Sequence, residues 1–150
     1  MLFAAGENAE ARKALQRDID LHPGVRWSNL TLGYIDLEEG RPDAAAEHFR
    51  AADETFRLVG MAMVEHTRGH VGEAQQALDE LKAKHATGNA YQIAAVCAWR
   101  GEKDAAFDWL DRAYAVHDNG LTRMRFDPML ASLRDDPRFA VLVKKMGFPQ

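Results

Sequence analysis

The feature that most limits how this chain can fold is a glycine that returns, at a repeat-like interval, between stretches of helical periodicity. Gly6, Gly40, Gly69 and Gly101 are separated by 34, 29 and 32 residues, a spacing typical of stacked repeats. Glycine accepts the positive φ that closes one helix so that the next can begin. The chain therefore reads as a series of helical hairpins, none of which can bury its inner face alone.

The residues around each glycine repeat as well. Five positions after it stand Ala11, Ala45, Ala74 and Ala106, and nine after it Leu15, Phe49, Leu78 and Leu110. Twelve after it come Asp18, Ala52, Leu81 and Ala113, and just upstream lie Leu32-Gly33, Met61-Ala62 and Ile93-Ala94. A small residue lets two antiparallel helices approach closely, and a large one fills the space beside it. The stretch from Gly88 to Tyr114 shows both halves, with Tyr91, Ile93, Ala94 and Cys97 before the turn and Ala105, Ala106, Trp109, Leu110 and Ala113 after it.

These periodicities predict a helix over 8–21, stopped by His22-Pro23-Gly24. They then predict pairs at 25–39 and 42–53, 55–68 and 71–85, and 88–100 and 103–117. The short interval between Gly40 and Gly69 falls on the junction from Ala51 to Phe56, where the helices are either clipped or run on with a sharp bend. After the turn at His117-Asp118-Asn119-Gly120, Asp127-Pro128 and Asp136-Pro137 each combine an N-cap with proline at the first helical position, so two short helices are expected to start there. In the last, Phe139, Leu142, Val143 and Met146 form one apolar face, as in a capping helix.

Leu32-Gly33, the turn glycines, the alanines that follow them, the large residue four further on and Pro23 together resemble the tetratricopeptide repeat. The likeness covers roughly residues 1 to 117 and implies an all-α, right-handed superhelix of antiparallel helix pairs with C-terminal capping helices. It makes 1–150 a single domain: 1–23 is the second helix of an incomplete repeat, 24–117 three helix pairs, and 118–150 the C-terminal cap. Met1 to Ala5 resembles the last turn of a missing first helix, so the chain is expected to be a fragment of a longer protein or to have that face covered by another subunit. The tail from Asp127 to Pro149 resembles the segment that follows such repeats in many bacterial signalling proteins, which implies a signalling or regulatory setting.

Composition narrows the function. The chain has 150 residues, is 47% hydrophobic and 28% charged, and carries a formal charge of −4. The charge argues against a general nucleic-acid binder, which needs surplus Lys and Arg. A single cysteine, Cys97, excludes an internal disulfide framework and suits a reduced, cytoplasmic setting. No apolar run reaches the length of a membrane span, so no membrane partner is expected.

No catalytic constellation stands out. His66 and His70 are four apart, but Gly69 lies between them at an expected turn and no third ligand is near, so they read as solvated turn histidines and no metal is expected. Cys97 reads as a buried structural thiol. Without a phosphate loop or nucleophile elbow, neither cofactor nor enzymatic activity is expected. The remaining expectation is a non-enzymatic scaffold, with a ligand-sensing regulatory domain or a small metal-dependent enzyme as alternatives.

The resemblance also implies that the first helix of each pair lines a concave groove. That places Trp27, Leu30 and Tyr34, then Phe56, Val59, Met63 and His66, then Tyr91 and Trp99 in a peptide-binding face. The Lys, Asn and Arg pattern with which some family members clamp a C-terminal carboxylate is missing. The expected occupant is an apolar helix or peptide from a protein partner, from another copy of the chain joined through the groove or the incomplete first repeat, or from the chain's own C-terminal segment.

Overall fold

A computed structural model describes residues 5–148, and their side chains from Asn8 onward. The described residues are all-α, without a strand. In chain order they form α1 (Ala5–Leu21), α2 (Arg26–Glu38), α3 (Pro42–Arg50), α4 (Glu54–Arg68), α5 (Val71–His85), α6 (Ala90–Trp99) and α7 (Lys103–Ala115). Two short 3-10 segments, Asn119–Arg123 and Pro128–Leu133, precede α8 (Pro137–Lys145). No helix among the described residues is long and apolar enough to cross a membrane. The contacts divide the chain into two compact units, one ending at Lys84 and the other starting at His85.

In the first unit α1 packs on α2, α2 on α3, and α3 and α2 on α4. Lys84 at the end of α5 reaches Glu54 at the start of α4, which sets these two helices antiparallel. Gly40 and Gly69 carry φ of 71° and 82° and close α2 and α4 in the same way. At each, the glycine N–H donates to the carbonyl three residues back, Leu37 and His66. The next residue, Arg41 or His70, donates to the one five back, Asp36 or Glu65. Behind the turns, Ala45, Phe49, Ala74, Leu78 and Leu81 are sealed in the core at the positions the repeat predicts.

One expectation is corrected here, and one left open is decided. Gly6 is not a hairpin turn, because α1 runs through it; glycine tolerates helical φ at a cost of roughly 1 kcal/mol. An expected turn at Gly6 between two helices is thus replaced by one continuous helix from Ala5, and residues 1–4 lie outside the described range. The junction between the first two pairs is clipped: α3 ends at Arg50, three residues short of the expected end, and Asp53 caps α4 by accepting from the Phe56 N–H at 3.1 Å.

In the second unit α6 and α7 form a pair closed by Gly101, whose φ is 78°. Gly101 donates to Ala98 and Glu102 to Cys97, repeating the bonds of Gly40 and Gly69. A fourth closure of this type ends α7, but there His117, at φ 55°, takes the left-handed position while Asp118 donates to the Ala113 carbonyl. Asp127-Pro128 and Asp136-Pro137 both cap as expected, their carboxylates accepting from Met129 and Arg138 N–H groups. The first of them opens a 3-10 segment rather than an α-helix. On α8, Phe139 and Leu142 are buried, and Arg138 ties the helix to α7 through Asp104 and the face of Phe107, 4.3 Å away.

Candidate functional site

The nine residues expected in the groove separate into three groups by burial. Leu30, Val59, Met63 and Tyr91 are sealed inside their units, Val59 and Met63 with no exposed surface at all. Tyr34, Phe56 and Trp99 are half-buried, and Trp27 and His66 are exposed, Trp27 at 62%. The sealed residues cannot touch a ligand in this conformation. Their helices are nearly apolar around much of the circumference, so the stripe facing inward and the stripe facing a neighbouring helix overlap.

In the first unit the accessible aromatic residues come together. The first turn of α2 carries Trp27 and the first turn of α4 carries Phe56, their ring centroids 6.1 Å apart with planes at 60°. Nearly two turns further along α2, Tyr34 sets its ring edge-on to Phe49 at 5.3 Å. Arg26 and Asp53, 3.8 Å apart, flank the Trp27 and Phe56 pair. Exposed aromatic rings of this kind supply large contact area at low entropic cost.

The corresponding helix of the second unit, α6, has no such open face. The segment from Asp118 to Leu133 lies on it. Tyr91, expected as a groove anchor, donates its hydroxyl to Asp127 Oδ2 at 2.7 Å, and its N–H to Asp118 Oδ2 at 3.1 Å. Gly120 sits against its ring, and the Arg123 guanidinium lies 5.4 Å from the ring centre. Burial, with Asp127 beside it, pushes the Tyr91 phenol well above its ordinary range. Ser132 Oγ donates to the Ala98 carbonyl at 3.0 Å, fastening the far end of the segment. The chain's own C-terminal segment thus occupies this helix.

A charged cluster was not anticipated. Asp36, 1% exposed, receives Arg12 from α1 and Arg41 from the start of α3, each at 2.9 Å, with His48 Nε2 at 3.5 Å. Arg12 and Arg41 both also reach Glu39. The only signal in the sequence is an acidic residue among Leu32, Ile35 and Leu37. A buried carboxylate is retained where cations beside it compensate, and here part-exposed Arg12 and Arg41 tie α1 and the start of α3 to α2 through it. His48 has its pKa lowered by burial, against the pull of Asp36.

His66 is exposed, and His70 lies 2.6 Å from Glu65 through Nδ1. The described residues hold no cluster of three or more His, Cys, Asp or Glu side chains able to bind a metal ion. Cys97 is buried and unbridged. Compared with protein-family models, curated proteins and solved structures, the chain gives no match. What the fold defines is a class: an all-α protein built of helical hairpins with repeat-like closures.

Proposed function

We propose that the chain is a non-enzymatic protein-interaction scaffold of tetratricopeptide-like helix pairs, acting in the cytoplasm as part of a larger signalling or regulatory protein. Its binding face is the aromatic surface of the first unit, and its ligand an apolar helix or peptide. The observation that carries this reading is the contrast between α6 and the first helices of the other pairs. α6 buries Tyr91 beneath the chain's own segment, whereas the Trp27 ring, paired with half-buried Phe56, stays 62% exposed. Apolar residues sealed by a segment in one repeat and left open in another fit a face that an external segment covers.

Trp27→Ala with Phe56→Ala is the test. Trp27 is mostly exposed, so the double variant should keep its helical content by circular dichroism. A partner captured from the native host by the unaltered chain should be lost from the variant. A second copy as occupant would appear instead as an oligomer in light scattering that the variant dissociates. Equal capture and equal assembly by variant and parent would sink the proposal.

A further inference from the structure

Where the chain turns from α7 onto α6, packing dictates a glycine at 120: a Cβ there would stand 2.5 Å from Tyr91 Cγ and 2.6 Å from Cδ1. The residue before it is Asn119, which is exposed. Asparagine followed by glycine is the pair most prone to lose the side-chain amide as ammonia, because no Cβ hinders the approach of the glycine nitrogen to the asparagine Cγ. The close contact with Tyr91 thus puts a labile pair into the segment that covers α6.

While the segment is seated, that reaction is blocked. The Gly120 nitrogen, which would have to attack, donates to Asp118 Oδ1 at 2.8 Å, and the other oxygen of the same carboxylate accepts the Tyr91 N–H at 3.1 Å. Asn119 opens the 3-10 segment Asn119–Arg123, a conformation with ψ of roughly −20 to −30°. Ring closure needs ψ turned far from that value, so that the nitrogen faces Cγ. The turn would break the bond from Thr122 Oγ1 to the Asn119 carbonyl, 2.8 Å, and lift Gly120 from the Tyr91 ring.

We propose that Asn119-Gly120 is a self-modification site, inert while its segment is seated on α6 and reactive once the segment opens, and that its product cannot reseat. In the open chain the Gly120 nitrogen attacks Asn119 Cγ. The new N–C bond closes a five-membered imide, the Cγ–Nδ2 bond breaks, and the amide leaves with the Gly120 proton as ammonia. Water then opens the imide. Cleavage at Cγ leaves aspartate, whereas cleavage at the main-chain carbonyl leaves isoaspartate, which carries the chain through the side chain and adds a methylene to the backbone. With that extra atom Asp118 no longer reaches the Gly120 N–H while Gly120 keeps its place on Tyr91. The new carboxylate also stands beside that of Asp118, where like charges repel. Tyr91 is left uncovered.

The full chain is incubated at mildly alkaline pH, folded and in urea, and conversion at residue 119 is followed by peptide mapping with mass spectrometry, which detects the exchange of NH2 for OH. The folded parent is expected to react about tenfold or more slowly than the chain in urea, since it must first open locally. Tyr91→Phe, which removes the hydroxyl bond to Asp127, should raise the folded rate about fivefold. Asp118→Ala should raise it further, whereas all three chains should react alike in urea. Tyr91→Phe keeps the comparison even if Asp118→Ala folds poorly. Isoaspartyl protein, separated by ion exchange, should be cut between residues 118 and 133 faster than unconverted protein in limited proteolysis. The inference is overturned if the folded parent reacts as fast as the chain in urea, if conversion in urea spares residue 119, or if neither variant reacts faster than the parent when folded. Isoaspartyl protein cut no faster than unconverted protein overturns it as well.

Discussion

Gly60 on α4 lies against the ring of Phe49 on α3 with no room for a side chain: a Cβ placed on Gly60 would stand 2.1 Å from Phe49 Cγ and 2.3 Å from Cδ1. Gly33 on α2 closes on the far edge of the same ring, where a Cβ would stand 2.8 Å from Cζ. One phenylalanine thus fills the space between two glycines of two different helices. Gly60→Ala must displace the ring or the backbone, and should destabilise the chain by about 3 kcal/mol, the upper part of the range for overpacking. Urea denaturation measures it. Phe49→Leu should recover part of that loss in the Gly60→Ala background while lowering the stability of the parent. A Gly60→Ala chain as stable as its parent would refute this packing.

Much of this hairpin was legible in the sequence. Gly33, Gly40, Ala45 and Phe49 announced it by position, because close approach of helices demands small residues and a turn demands positive φ. Gly60 did not, since it falls outside the recurring positions and its partner is distant along the chain. For the candidate site the helices were readable, but not which of their faces is open. Tyr91 and Trp27 look alike in a periodic pattern; only the segment from Asp118 to Leu133, whose path depends on non-local bonds such as Tyr91 to Asp127, buries one of them. Val59 and Met63 were expected in the groove for the same reason and are sealed in the first unit.

Ala106 tests the repeat register in the second unit. It has no exposed surface and stands on α7 where that helix packs against α6. Ala106→Arg would bury an unpaired charge whose transfer costs several kcal/mol, on the order of the unit's whole stability. Loss of the cooperative thermal transition is expected for residues 85–148, read as loss of amide protection there. Retention of the parent's thermal midpoint would place Ala106 elsewhere than in the helix seam.

Asp127 has two tasks, accepting the Tyr91 hydroxyl at 2.7 Å and capping its 3-10 segment through the Met129 N–H at 2.9 Å. Tyr91→Phe removes the first alone and should cost about 1 kcal/mol. Asp127→Ala removes both and should cost about 2 kcal/mol. Limited proteolysis provides the readout: cleavage between residues 118 and 133 should accelerate in the order parent, Tyr91→Phe, Asp127→Ala. Equal cleavage of all three would mean that the segment is held by its apolar contacts without help from this pair.

The charged cluster around Asp36 predicts a pH dependence whose sign follows from His48. That ring faces Asp36 of α2 and Arg12 of α1, with Glu47 beside it on α3, and its Nδ1 lies 3.2 Å from Asn29 Oδ1. Burial lowers its pKa below the ordinary value; Arg12 acts in the same direction, while Asp36 and Glu47 oppose it. As pH falls through about 6.5, the unfolded chain takes up a proton on this histidine before the folded chain does. The unfolded state then binds more protons, so stability declines with falling pH, and the decline ends once pH passes below the depressed folded value. Between pH 7.5 and 5 this one group should therefore lower stability as the pH falls. His48→Gln keeps a polar side chain but cannot titrate, so its stability should be flatter across that interval than the parent's, compared by urea denaturation at each pH. Groups other than His48 are the same in both proteins, so the difference between the two curves isolates His48. Parallel curves for parent and variant, or a parent that gains stability as pH falls relative to the variant, would show that His48 is not held neutral by its burial against α1 and α2.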